Sequence, residues 1–485
     1  MLDRDQDGSR AGRTRGQRRV DWPAGGLDGS GGMRRRRLLR GVAGLVAGGA
    51  GAALVGCGGG TAPDAPPAAL STQPVQVVLS TDWNSTTRMA VMETMKREFM
   101  RAHPNVTVEV DYFTSASSSG GSAGTYSEKV IAALVADTPP DVIANFAYAP
   151  HVDRMADLTR DAPAAGWKKA EVIFDPHNQE VGGKLYMLSM SSSVSGWAYN
   201  KSLFQEAGIA DPTEAWTLDE VLDAARKLTR PDKSQWGILA PDALWFGPLE
   251  LLWAAGAGAT SATSAELFSA ERKKSRLAEA GGPDAFQWYA DLIQRHRFSP
   301  SPAEARAQNV AFETGRVGLM PYGVYNSGAS AQRIGEQFVW SAMPIPLYPA
   351  TKKRCCDRNS EGFVIPRTTQ RKGTYQAALR YALSFYGDPV QQMVAEQRGT
   401  LPIMRKWIES KAYLAPPPLG LEVIPRTLND KQMIMGDHQQ RHKAFPDWSR
   451  AVRAELLKAL NGENAPKPAL QAAMDAGDRV LAAST

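Results

Sequence analysis

The chain has 485 residues, 43% of them hydrophobic and 22% charged, a balance that excludes a wholly disordered chain, a collagen-like repeat and a multi-span membrane protein. Three cysteines in this length exclude a disulfide-framework fold. The net charge of +6 belongs entirely to residues 1–56, which hold 11 Arg and 5 Asp and leave 45 basic and 45 acidic residues beyond them, so the neutral body offers no field for nucleic acid.

The one membrane-grade segment lies near the start. Arg34-Arg35-Arg36-Arg37 precede Leu38-Leu39-Arg40, and an apolar Gly/Ala-rich run follows from Gly41 to Gly56. That run is shorter than the roughly 20 residues a spanning helix needs, so the segment reads as a signal peptide. Paired arginines followed by leucines resemble a twin-arginine export signal, and a basic n-region on an ordinary signal reads equally well. Leu54-Val55-Gly56-Cys57 resembles the bacterial lipobox, in which the peptidase cuts before a cysteine whose sulfur carries the lipid. Gly58 to Gln73 then reads as a flexible tether with a reach of roughly 20–24 Å. Residues 1–32 have no apolar periodicity; either Met33 is the true start or they form a disordered extension.

The body opens as α/β. Val75–Ser80 reads as a buried strand. Asn84 or Ser85 caps a helix with Met89, Met92, Met95 and Phe99 on one face, and Pro104 stops it. Val106, Val108 and Val110 alternate with polar residues as a strand, completing a βαβ unit with parallel pairing. Ser115–Gly124 reads as a loop, Ser127–Ala136 as a helix and Val142–Ala144 as a strand. Thr217-Leu218-Asp219-Glu220 is a capping box that opens a helix to about Thr229. Further helices are expected at Asp284–His296, Thr374–Tyr386, Pro389–Arg398, Ser449–Leu460 and Pro468–Ala482, with Asn461-Gly462 as a C-cap between the last two.

Catalytic motifs are weak. Gly120-Gly121-Ser122-Ala123-Gly124 fits G-x-S-x-G, but it lies in a Ser/Gly loop rather than on a strand-to-helix turn. His438 and His442 are spaced to share a metal on a helix, yet no third ligand is evident and a solvated surface is the simpler reading, so no metal is expected. Cys355-Cys356 lies in a basic, polar segment; a strained ring, free thiols or an intermolecular bond are all open to it. No nucleotide-binding signature is present. The positive signal is aromatic: Trp83 follows the first strand, and Phe146 and Tyr148 follow the strand at Val142–Ala144. Both positions fall at carboxyl ends of strands, where open α/β sheets bind ligands, and each has an amide beside it, Asn84 and Asn145. Flat rings with amides and carboxylates are the mixture that sugar recognition needs.

At this point the chain resembles the extracellular solute-binding lipoproteins of bacterial ABC importers, in the sugar-binding group that includes maltose-binding protein. The matching pieces run in family order: Phe99 with His103-Pro104-Asn105-Val106; Tyr126 and Lys129 with Pro140-Asp141-Val142; Asp157-Leu158-Thr159; Gly183-Lys184-Leu185-Tyr186; Tyr199-Asn200-Lys201 with Leu203-Phe204; Trp216-Thr217 with Glu220; Phe312 and Gly315 with Gly318 and Met320; Glu361-Gly362-Phe363; and Gly399-Thr400-Leu401-Pro402.

The resemblance implies an α/β, two-lobed periplasmic-binding-protein-like fold of type II with extra C-terminal helices. Hinge crossings would fall near Ser189–Gly196 and Pro344–Ser360. The first lobe would take 74–190 plus 350–402, and the second 195–344 plus 403–485, after an N-terminal extension and signal at 1–56 and a tether at 57–73. It implies capture of a carbohydrate and delivery to the permease's transmembrane subunits, with no catalysis and no cofactor. The chain would be an exported monomer, lipid-anchored through Cys57 and facing the periplasm or cell exterior. By position, the cleft would draw on Trp83, Asn84, Asn145, Tyr148, Trp245, Phe246, Tyr322, Tyr325, Asn326 and Glu361. A binder of a polyol phosphate or a polyamine, or a secreted carbohydrate-active enzyme, are the alternatives. Two departures stand out: Ser189 occupies a position where the family commonly has Pro, and Cys355-Cys356 reads as a surface insertion.

Overall fold

A computed structural model of the chain describes residues 69–113, 122–173, 175–241, 244, 247–437 and 442–484. Its first unit is the expected βαβ. Strand β1 (Val75–Thr81), helix α1 (Thr86–Ala102) and strand β2 (Val106–Tyr112) follow in order, with β1 and β2 parallel from Val75↔Val106 to Thr81↔Tyr112. The buried face of α1 is Thr87, Val91, Met92, Met95 and Phe99, one position round from the predicted stripe because Val91 turns inward and Met89 does not. Helix α2 (Ser122–Val135) begins inside the Ser/Gly-rich stretch, five residues before the expected start, and β3 (Val142–Ala144) returns parallel to β1. The segment 114–121, with the first two glycines of the G-x-S-x-G match, lies outside the described residues.

Next come β4 (Met187–Ser193) and β5 (Ser195–Asn200), separated by Val194 alone. They are followed by α3 (Leu218–Leu228), β6 (Trp236–Ile238), α4 (Pro248–Ala254), β7 (Ala259–Ser261), β8 (Ser264–Glu266), α5 (Gly282–Gln294), β9 (Val317–Gly323), α6 (Ser327–Ile334) and β10 (Trp340–Met343). The chain ends with β11 (Cys355–Val364), α7 (Tyr375–Ser384), α8 (Asp388–Gln397), β12 (Ile434–Asp437), α9 (Phe445–Leu460) and α10 (Pro466–Ala483). The capping box at α3 is present: the Glu220 carboxylate accepts from the Thr217 backbone N–H at 2.7 Å, and Thr217 Oγ1 accepts from the Asp219 N–H at 3.2 Å. The turn between α9 and α10 is made by Asn461 as C-cap and Gly462 at φ +82°, a left-handed position that favours glycine.

The strands form two main sheets. One runs β2-β1-β3-β11-β12-β8-β7, with β4 also paired to β11; the other runs β10-β5-β9-β6. Each carries its own core. Val77, Leu79, Met95, Phe99, Leu188, Phe363 and Tyr381 fill the first. The larger second core holds Trp197, Phe204, Trp236, Trp253, Trp340 and Trp448 and includes the C-terminal helices. These cores define a first and a second lobe within one unit, Asp64–Thr485. Strand β11 serves both: its start pairs parallel to β12 from Cys355↔Ile434, and its end pairs antiparallel to β4 and β3 up to Val364↔Met187 and Val364↔Ile143.

The cysteine pair corrects the sequence reading. Cys355 and Cys356 are 1% and 0% exposed, on β11 rather than on a surface insertion, and both are free thiols. Adjacent strand residues point to opposite faces, and here both faces are covered, so both side chains are buried. Burial pushes both thiols well above their ordinary range. The basic neighbour Arg354 is itself largely covered and paired with Glu214, so its charge does not mark an exposed segment, which is why local composition misleads.

Close packing of the second lobe yields a test. A Cβ on Gly237, in β6, would lie 2.0 Å from the backbone oxygen of Ala225 in α3. Gly237→Ala is expected to lower stability by about 2–4 kcal/mol, measured by urea denaturation, because neither backbone can yield cheaply.

Candidate functional site

The carboxyl ends of β1 and β3 and the middle of β11 meet in a polar cluster. Thr81 ends β1, and Asp82 and Trp83 follow directly. The Trp83 indole N–H donates to Glu361 Oε2 at 2.7 Å, across 278 positions of sequence. Asn145, just past β3, takes a left-handed backbone (φ +56°), which turns its amide Nδ2 onto both Asp82 oxygens at 3.0 and 3.1 Å, while its backbone N–H bonds to Gly362 O at 3.0 Å. Asparagine is among the few side chains that tolerate this conformation. Tyr325, in the turn after β9, reaches the cluster from the second lobe.

Arg88 ties the group together. From the first turn of α1 its guanidinium lies 4.7 Å from the Trp83 ring centroid and 5.5 Å from that of Tyr325, and its Nη2 is 3.7 Å from Glu361 Oε2. Its Nε donates to Gly399 O at 2.9 Å. One cation thus serves a carboxylate and two rings, a charge-assisted arrangement in a largely desolvated place. Burial, then the nearby Glu361 charge, raises Asp82 to about 6, and Asn145 and Arg88 offset part of that rise. Burial also raises the Tyr325 phenol.

The expected residues separate into groups. Trp83, Asn145, Tyr325 and Glu361 meet, as described. Trp83 is 0% exposed, its face covered by Arg88 and its edge set against Phe385 at 6.5 Å. Asn84 is exposed and bonds to Phe113 O at 2.9 Å. Tyr148 is buried in a small separate cluster with Phe146, Tyr186 and Val364, its hydroxyl donating to Asn178 O at 3.0 Å, and Tyr322 is buried in the second core, edge-on to Trp340. Asn326 is half-buried at the start of α6. Trp245, Phe246, His438 and the lipidation candidate Cys57 lie outside the described residues. Asp82 and Arg88 were not singled out from sequence. Asp82 carried a usable signal, since it is a charge placed directly at a strand's carboxyl end; Arg88 carried none.

A second polar group lies beside the crossing. The Ser195 hydroxyl bonds to Glu250 Oε1 at 2.9 Å and contacts Asp357 Oδ1 closely, and the Asp357 N–H donates to Ser195 Oγ at 3.2 Å. Burial raises the Asp357 carboxyl, and a proton on it lets one hydroxyl bridge both carboxyl groups. This group fastens β5 to β11 where the chain passes between lobes. Elsewhere, a cavity of about 630 Å³ is lined from both lobes by residues that include Asp175, Ser192, Arg405, Lys431 and Met433, and it shares none with the Glu361 cluster. The cluster is the better candidate site because it lies at strand carboxyl ends and joins a desolvated carboxylate to rings from both lobes. Among the described residues no His/Cys/Asp/Glu group could hold a metal ion.

Residues 81–384 match the family of bacterial extracellular solute-binding proteins, and the chain belongs to that family. It is similar to a mannitol-binding protein of Pseudomonas aeruginosa, 26% identical over 255 residues that make up 50% of this chain and 54% of that one. The chain therefore spans about half the length of the curated relative it matches. Among solved structures it resembles an ABC substrate-binding protein of Listeria monocytogenes in complex with cycloalternan, with TM-score 0.69, 18% identity, and 84% of this chain and 98% of that chain covered. It also resembles the maltose/maltodextrin-binding domain of Bdellovibrio bacteriovorus bound to maltotriose, with TM-score 0.63, 18% identity, and 83% and 99% covered. These likenesses establish the two-lobed fold of type II periplasmic binding proteins.

The raised Asp82 carboxyl gives a signed prediction. Its folded pKa of about 6 lies above the ordinary 3.8, so the fold holds the proton more tightly than the unfolded chain does. Its contribution is present below pH 4 and is lost as pH rises through 6. Asp82→Asn removes that loss: relative to wild type, the variant should gain up to about 3 kcal/mol between pH 4 and pH 7 in paired denaturation curves.

Proposed function

We propose that this chain is the ligand-capturing component of an ABC importer, that it holds a carbohydrate between its lobes at the Glu361 cluster, and that it passes the carbohydrate unchanged to the permease's transmembrane subunits. The observation that carries this reading is the meeting of Asp82, Trp83, Asn145 and Glu361 from the first lobe with Tyr325 from the second around one cation. Carboxylates and amides bond sugar hydroxyls in pairs and an aromatic ring covers a C–H face between them; here the half-buried Tyr325 is the ring for that part, since Trp83 is enclosed. The ligands named for the related proteins, mannitol, cycloalternan and maltotriose, are all dense in hydroxyls. A phosphate ligand would call for a cluster of cations here, and Arg88 is already engaged by Glu361.

The first lobe is taken as 74–190 plus 350–402 and the second as 195–344 plus 403–485. Translation starts at Met33, export follows the arginine-rich signal, and Cys57 carries a lipid that anchors a monomer by its 58–73 tether at the membrane's outer side. Among the described residues no helix is long and apolar enough to cross a membrane. Cys57→Ala should abolish labelling with a radioactive fatty acid and move the protein from the membrane fraction to the soluble fraction; unchanged partition would remove the anchor.

Thermal shift against a panel of monosaccharides, maltooligosaccharides and hexitols tests the ligand class. A true ligand at 100-fold over its Kd should stabilise by about 2.7 kcal/mol. Glu361→Gln should weaken that ligand roughly 10- to 100-fold, read by calorimetry. A panel with no stabilising compound, or a ligand recovered chemically altered, would overturn the reading.

A further inference from the structure

The lobes also meet at a seam built from backbone groups of two helix ends. Helix α8 of the first lobe ends at Gln397, and Arg398 takes a left-handed backbone (φ +47°) that presents its carbonyl sideways. That carbonyl accepts from the backbone N–H of Gly328, in the first turn of α6 of the second lobe, at 3.2 Å. The free N–H end of one helix therefore faces the carbonyl end of another, the favourable sense for two helix dipoles. The approach requires glycine: a Cβ on Gly328 would lie 1.8 Å from Gln397 O. The same turn closes on α1, where a Cβ on Gly399 would lie 2.6 Å from Thr87 Oγ1. Core membership changes within this stretch: Val390 and Val394 belong to the first core, and Leu401 to the second.

Arg88 lies across the seam. Its Nε holds Gly399 O at 2.9 Å, and its guanidinium stands over Trp83 of the first lobe at 4.7 Å and Tyr325 of the second at 5.5 Å. Tyr325 and Gly328 lie three residues apart, so the cation–ring contact and the helix-end contact engage one short stretch of the second lobe.

We propose that Arg88 and Gly328 form an interlobe latch, so that lobe contact is a property of the chain itself and a ligand stabilises a contact already made. Arg88 is then a positioning residue: it holds Glu361 and both rings in place and sets the fraction of molecules competent to bind. Apparent Kd equals intrinsic Kd divided by that fraction, so loosening the latch weakens every ligand by one common factor. The affinity arm of this inference rests on the function proposed above; the shape arm does not.

The test is small-angle X-ray scattering on the full chain without added ligand, comparing wild type, Arg88→Met and Gly328→Ala, with binding of mannitol, maltose and maltotriose measured in parallel. Both variants should show a larger radius of gyration, and each probe that binds wild type should weaken by the same factor within a variant, roughly 3- to 30-fold for Arg88→Met. Arg88→Lys, which keeps the charge but loses the fork, should fall between. Should Gly328→Ala fail to fold, Arg88→Met decides alone. An unchanged radius of gyration, or weakening of one probe only, would overturn the latch, the latter by placing Arg88 in direct ligand contact. If no probe binds wild type, the proposed function fails while scattering still decides the latch.

Discussion

The structure depends on a single indole–carboxylate hydrogen bond, from Trp83 to Glu361. Trp83 stands where β1 ends, and Glu361 stands on the strand that runs from one lobe to the other. Their bond fixes the crossing strand against the carboxyl end of the first sheet. The half-buried Glu361 carboxylate accepts from the indole N–H and pairs with the Arg88 guanidinium. Burial, and then the nearby Glu361 charge, shifts Asp82 upward. The polarity of the site and its mechanical role at the crossing thus come from the same atoms.

Strand β11 explains how two cores can share one chain. Its first residues extend the second lobe's strands through β12, and its last residues complete the first sheet beside β3 and β4. The other crossing needs only Val194 between β4 and β5. The Ser195, Glu250 and Asp357 group fastens these two segments together, and a further change of core falls between Val394 and Leu401.

Much of the fold was legible because it is written locally. Alternating valines gave β2, the Met/Phe stripe gave α1 within one position, and Thr217 with Glu220 gave the start of α3. The expected crossings came from family likeness rather than from local pattern. Local reading failed where the decisive contact is distant. Arg88 looks like any polar residue in the first turn of an amphipathic helix, and nothing nearby reveals Gly399, Tyr325 or Glu361. Cys355-Cys356 failed in the opposite sense: a basic neighbourhood suggested surface, while pairing on both sides of β11 buried the pair. Trp83 meets Asn145 and Glu361 as a cluster, but its ring is enclosed by Arg88 and Phe385, and its N–H is its visible contribution.

The most direct measurement is a crystal structure of the protein grown with a sugar or hexitol that stabilises it. The account predicts ligand density between Tyr325 and the Asp82 and Glu361 carboxylates, with at least one ligand hydroxyl bonded to Glu361. Density confined to the cavity beside Arg405 and Met433, with the Glu361 cluster untouched, would contradict it.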